Sequence, residues 1–183
     1  MDDLSLFMLD IVENSFNAHA KTVTVTLSDS IHENRLSLEI IDNGIGMDQT
    51  TLEKVTNPFY TTRTTRKVGL GIPFFRDSAL QTGGDFAIES TPNVGTKIKA
   101  IYVLNHIDTP PLGDIAQTIQ AILVDPRMER FVFDFITDVD TFHFDTDEVR
   151  AILGDVPLTD VGILGYLKEY IHTSIRTIRG GAI

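Results

Sequence analysis

The sequence predicts an α+β protein: a two-layer sandwich whose mainly antiparallel sheet carries helices on one face, followed by a small α+β region. Three observations predict it. Amphipathic helical stretches and pairs of short strands follow one another in the order helix, hairpin, loop, helix, hairpin. The two strands of each pair are joined by a few polar or turn-forming residues, which makes them antiparallel neighbours. After Pro110 and Pro111 the composition changes, and a second, shorter set of helices and strands begins.

The 183 residues are 42% hydrophobic and 22% charged, enough for a medium domain with an appendage and a globular core. A net charge of −11 argues against nucleic-acid binding, which needs basic surface. There are no cysteines, so disulfides and thiolate metal sites are excluded. No apolar run has the length of a membrane span, and the acidic start Met1-Asp2-Asp3 argues against a signal peptide. The expectation is a cytoplasmic protein that makes no use of a membrane.

Taken in order, Leu4 to about Ala20 is an amphipathic helix, with Leu4, Phe7, Met8, Ile11 and Val12 on its apolar face. Asp10, Asn14 and Asn17 share the opposite face. Asparagine competes with the backbone inside a helix, and an Asp followed one turn later by Asn aligns an acceptor and an amide able to hold a water and a hard cation. Thr22–Leu27 and Leu36–Ile41 alternate as strands across a polar turn. The second of them ends in Asp42-Asn43-Gly44-Ile45-Gly46-Met47. Its glycines allow a sharp turn and a close approach to a ligand, and its carboxylate can accept from an exocyclic amine such as that of a base edge.

Gln49–Val55 gives one or two helical turns. Phe59 and Tyr60 are apolar anchors, and the segment after them (Thr61, Thr62, Arg63, Thr64, Thr65, Arg66, Lys67) is rich in hydroxyls and cations without core periodicity. It ends in Gly69-Leu70-Gly71, which opens a helix to about Leu80. A glycine turn feeding a helix N-terminus suits an anion, since unpaired N–H groups and the helix dipole both face it. Thr82-Gly83-Gly84 caps that helix, and the strands Phe86–Ser90 and Thr96–Leu104 form a second hairpin. These elements make residues 1–104 one domain, with 105–112 a linker. Residues 113–183 then carry a helix through Ile115, Ile119 and Ile122, and a hairpin of Phe131, Phe133 and Phe135 against Thr141–Asp145. A helix capped by Thr146 and a final helix capped by Thr159 or Asp160 follow. This region is expected to build a small core of its own, with a dimer or partner interface as the functional alternative.

Four motifs in this order resemble the nucleotide-binding domain of the GHKL superfamily, the Bergerat fold of gyrase, the ninety-kilodalton heat-shock chaperone, sensor histidine kinases and mismatch-repair clamps. Leu9-Asp10-Ile11-Val12-Glu13-Asn14 resembles its N box and Asp42-Asn43-Gly44-Ile45-Gly46-Met47 its first glycine box. Asn57-Pro58-Phe59-Tyr60-Thr61-Thr62-Arg63 resembles the F box of histidine kinases, and Gly69-Leu70-Gly71-Ile72 the second glycine box. The likeness covers about Leu4 to Leu104. It implies ATP and Mg²⁺ as ligands: Asn14 coordinating the metal, Asp42 accepting from the adenine amino group, and Thr96 near the same edge through water. Gly44, Gly46 and Met47 would shape and line the adenine pocket, and Gly69, Leu70 and Gly71 would offer backbone contacts to the phosphates. Phe59, Thr61, Thr62 and Lys67 would contribute from the lid, Thr61–Val68. Asn17 falls where the family often carries a charge.

Asp10 stands at the catalytic Glu or Asn position of the family. It is one methylene shorter than the Glu that activates water in hydrolysing members, so hydrolysis is expected to be slow or absent. The chain begins at the N box, and none of its five histidines lies in a phospho-acceptor context, so an acceptor is expected on a partner. The resemblance therefore implies a kinase of the histidine-kinase or anti-sigma type acting on or regulating a separate protein. A non-catalytic ATP sensor and a slow GHKL ATPase are the alternatives.

Overall fold

A computed structural model describes residues 3–55 and 71–180. Its order is α1 (Leu4–Asn17), β1 (Thr22–Ser30), β2 (Arg35–Asp42), α2 (Gln49–Val55), α3 (Gly71–Gln81), β3 (Asp85–Thr91), β4 (Gly95–Val103), α4 (Ile115–Leu123), β5 (Arg130–Thr137), β6 (Thr141–Asp145), α5 (Thr146–Leu153) and α6 (Val161–Ile178). This is the predicted α+β sandwich, and the element bounds depart from the sequence reading by a few residues at most.

The strands form one six-stranded sheet in the order β3-β4-β2-β1-β5-β6. Every neighbouring pair is antiparallel except β1 with β5. In β1 the odd positions Val23, Val25 and Leu27 are buried and the intervening hydroxyls are not. One face of the sheet therefore takes the apolar side chains and the helices, and the other stays polar. On the polar face Glu39 of β2 sits between Lys97 and Lys99 of β4, at 3.4 and 3.1 Å.

Residues 113–183 do not build a core of their own, in contrast to the expectation. Phe131, Phe133 and Phe135 stand beside Val23, Val25 and Leu27 in the β1–β5 register, and all six belong to the same buried cluster as α1. Burial is larger that way: three phenylalanines on an isolated hairpin would bury one side only, whereas here they complete the layer beneath α1, α4 and α6. The stretch between the two regions is also fixed. The N–H groups of Leu4 and Ser5, orphaned at the start of α1, donate to the carbonyls of Pro111 and Leu112 at 2.9 and 3.0 Å. Asp3 caps the same helix, accepting from the Leu6 N–H. Capping of α5 falls to Asp145 rather than Thr146, whose hydroxyl instead accepts from the Phe131 N–H at 2.9 Å. No helix among the described residues is long and apolar enough to cross a membrane.

Candidate functional site

Asp42 is the last residue of β2, two positions beyond the buried Ile40, so its side chain falls on the helix-covered face. Three donors hold it. The Ser15 hydroxyl of α1 donates to Oδ2 at 2.8 Å, and the N–H groups of Gly44 and Thr96 donate to Oδ1 at 2.8 and 3.3 Å. A carboxylate has about four acceptor positions. These three bonds orient it and leave Oδ2 able to accept one more, which suits an amino group arriving from a ligand.

The glycines beside it are required by close backbone approach. A Cβ on Gly46, at φ +64°, would lie 2.0 Å from the Thr91 carbonyl, and one on Gly44 2.7 Å from that of Ala18. The loop is pinned on both sides. The Ile45 N–H donates to the Ala18 carbonyl at 2.9 Å, and the Asn93 N–H to that of Ile45 at 2.7 Å. Asn43 accepts from the N–H groups of Lys21 and Thr22, and the Ser90 hydroxyl accepts from the Met47 N–H. Thr96 lies opposite Asp42 across the β2–β4 ladder, and its hydroxyl meets that of Ser90 at 2.9 Å.

α1 joins this end of the sheet to α3. Asn14, adjacent to Ser15, is half-buried, and its amide has no hydrogen-bond partner among the described residues. One turn earlier Asp10 leans on the first residue of α3: a Cβ on Gly71 would come within 1.6 Å of Asp10 Oδ2. Burial raises the Asp10 carboxyl above its ordinary value. Asp10, Asn14, Asp42, Gly44, Gly46, Met47, Gly71 and Thr96 are thus linked through α1 and the end of β2. Asn17 is engaged elsewhere. It is exposed, and its Oδ1 accepts from Arg127 Nη1 at 2.8 Å, while that guanidinium also sits over the Phe16 ring. Phe59, Thr61, Thr62, Lys67, Gly69 and Leu70 lie outside the described residues, as does the Thr61–Val68 lid.

Sequence reasoning missed Ser15 and Ser90. A signal existed for Ser15, which continues the buried stripe Phe7, Met8, Ile11, Val12. A hydroxyl on an apolar stripe needs a partner. Ser90 gives no such cue in a strand whose positions alternate between exposed and half-buried.

The arrangement fits an adenine nucleotide with Mg²⁺ in its donor set: an oriented carboxylate with acceptor capacity, an amide oxygen one helical position from Ser15 with no partner among the described residues, and a helix N-terminus beside Asp10.

Residues 2–106 match the family model described as histidine kinase-, DNA gyrase B-, and HSP90-like ATPase. A putative sensor protein of Shewanella frigidimarina is 33% identical over 103 residues, 55% of this chain and 16% of that protein. Sporulation kinase C of Bacillus subtilis is 27% identical over 103 residues, 56% of this chain and 24% of that protein. Sensor protein kinase FleS of Pseudomonas aeruginosa is 33% identical over 116 residues, 63% and 28% of the two chains. The chain therefore spans only about a sixth to a quarter of the length of these relatives. Among solved structures, the N-terminal domain of a DNA repair protein superposes with a TM-score of 0.57 at 15% identity, covering 85% of this chain and 58% of that one, which is a likeness of fold.

Proposed function

The chain belongs to the histidine kinase-, DNA gyrase B- and HSP90-like ATPase family, and from that premise we propose that it binds Mg²⁺-ATP at the end of β2 and acts on or regulates a separate partner protein. The observation that carries the reading is the anchoring of Asp42 by Ser15, Gly44 and Thr96, which orients a carboxylate and keeps one acceptor position for an adenine amino group. Asn14 would hold the metal through its amide oxygen, a hard ligand suited to Mg²⁺. The Gly71 end of α3 would meet the phosphates with its N–H groups. ATP supplies a transferable phosphoryl group when bound, and the work left to the chain is positioning and charge neutralisation. The acceptor hydroxyl or imidazole would come from the partner. The setting we infer is cytoplasmic signal transduction.

A nucleotide sensor that transfers nothing is the second reading. It draws support from Asp10, whose short carboxyl rests against Gly71 and serves there as a packing contact between α1 and α3.

Calorimetry with Mg²⁺-ATP tests the binding reading on the wild type and on Asp42→Asn. The variant replaces one acceptor oxygen by a donor facing either the Ser15 hydroxyl or the incoming amine, so affinity should fall at least a hundredfold while the thermal melt stays cooperative. Retained affinity in the folded variant would sink the adenine assignment. Incubation with γ-labelled ATP and cell lysate then separates the finer readings. Label on a partner supports transfer, free phosphate supports a slow ATPase, and neither product supports the sensor.

A further inference from the structure

We propose that the free edge of β6, with the outer side of α6 beside it, takes an extended basic segment of a partner protein as an added strand. β6 ends the sheet order, so one of its sides has no strand partner among the described residues. The hairpin closes with the Thr137 N–H donating to the Asp140 carbonyl at 2.9 Å. Bonded and non-bonded pairs alternate along an antiparallel ladder. Phe135 with Phe142 and Phe133 with Phe144 are then bonded pairs, and Asp134 with His143 is not. The backbone N–H and C=O of His143 consequently point away from β5, toward the open side. β6 also carries no Pro, Gly or Lys to blunt an edge.

A groove of about 550 Å³ lies at the Asp140–Phe142 end of this edge, next to His143 in sequence, with Thr141 and Phe142 on one side and Tyr166, Tyr170 and Ser174 of α6 on the other. Tyr166 and Tyr170 stack with rings 3° from parallel and remain 67% and 46% exposed. Tyr170 also meets the edge of Phe142 at 5.5 Å. An edge strand flanked by a helix with aromatic side chains is the geometry of strand addition, in which main-chain bonds give affinity and alternate side chains fill the floor. The charge selects the occupant. Asp140 and Glu169 line the groove, and neither makes an ion pair among the described residues. Carboxylates beside stacked tyrosines favour Lys or Arg, by Coulomb attraction and by cation–π contact. A second copy of this chain would bring the same carboxylates, and a net charge of −11, against themselves.

The probe is a fluorescein-labelled octapeptide of alternating Lys and Val, read by fluorescence anisotropy on the full chain at low salt. Saturable binding is expected, at least tenfold weaker for the same peptide N-methylated at every residue, which keeps the charge and loses the main-chain donors on both edges. His143→Pro should weaken binding to the same degree. It deletes an N–H that faces away from β5, so the ladder stays intact and Mg²⁺-ATP binding is unchanged. Tyr166→Ser, at an exposed side chain, should weaken the peptide threefold or more. The proposal is overturned by the absence of saturable binding, by equal binding of the N-methylated peptide or of both variants, or by a dimer in sedimentation that His143→Pro dissociates.

Discussion

Asp42, at the end of β2, and Asp10, midway along α1, are both half-buried carboxylates, and their surroundings treat them in opposite ways. Asp42 receives three hydrogen bonds, which fix the direction of both its oxygens. Asp10 is desolvated by α1 and the Gly71 backbone, and burial raises its carboxyl. A raised folded-state value means that ionisation weakens the fold. The penalty is absent below the ordinary carboxylate range near pH 4 and develops as pH rises through the folded-state value. Asp10→Asn should therefore raise the melting temperature at pH 7, by at most about 2–4 °C for a chain of this length. The gain should vanish near pH 3. Calorimetric melts of both proteins at the two pH values check this, and an equal gain at both would assign the effect to packing rather than charge. The same residues show where sequence reading reaches. Asp42, Gly44 and Gly46 are legible because carboxylate and glycine chemistry is local. For Ser15 the stripe shows only that its hydroxyl needs a partner; which partner is not legible, because it is a strand end 27 positions away.

At the scale of elements, α6 is held at its far end by a buried charge. Arg179, the C-cap, donates to Asp29 Oδ2 at 2.8 Å, and the Asp29 side chain is only 4% exposed, with Oδ1 lacking a partner among the described residues. Removing one member of such a pair leaves the other desolvated and alone. Because Arg179 is itself about a third exposed, the cost of Arg179→Ala is placed at about 1–3 kcal/mol, below the fully buried range. Urea unfolding measures it directly. A double variant, Arg179→Met with Asp29→Leu, removes both charges and should recover most of the loss. Helix and strand bounds were legible throughout because periodicity is local. This ion pair was not, since it joins residues 150 positions apart that carry no motif.

At the scale of the whole molecule, the family match ends at residue 106 while the sheet does not. The sequence divides the chain at 105–112 because Pro110 and Pro111 fall there. What it could not reveal is that β5 returns to pair with β1 rather than starting a separate sheet, because strand partners far apart in sequence leave no local trace. That pairing makes the two regions interdependent. A fragment of residues 1–112 would expose the edge of β1 along Thr22–Asp29 and strip Phe131, Phe133 and Phe135 from the layer beneath α1. Each phenylalanine contributes about 1.5–3 kcal/mol by burial, a sum comparable to the whole stability of a domain this size. The fragment should consequently bind a hydrophobic dye such as ANS, melt without a cooperative transition and take up no Mg²⁺-ATP, although it holds every described residue assigned to the nucleotide. A sharp melt with ATP binding intact would instead make 1–112 a self-sufficient unit. The β1–β5 junction would then be a docking surface between two folded parts, and the free edge of β6 would belong to the added part alone.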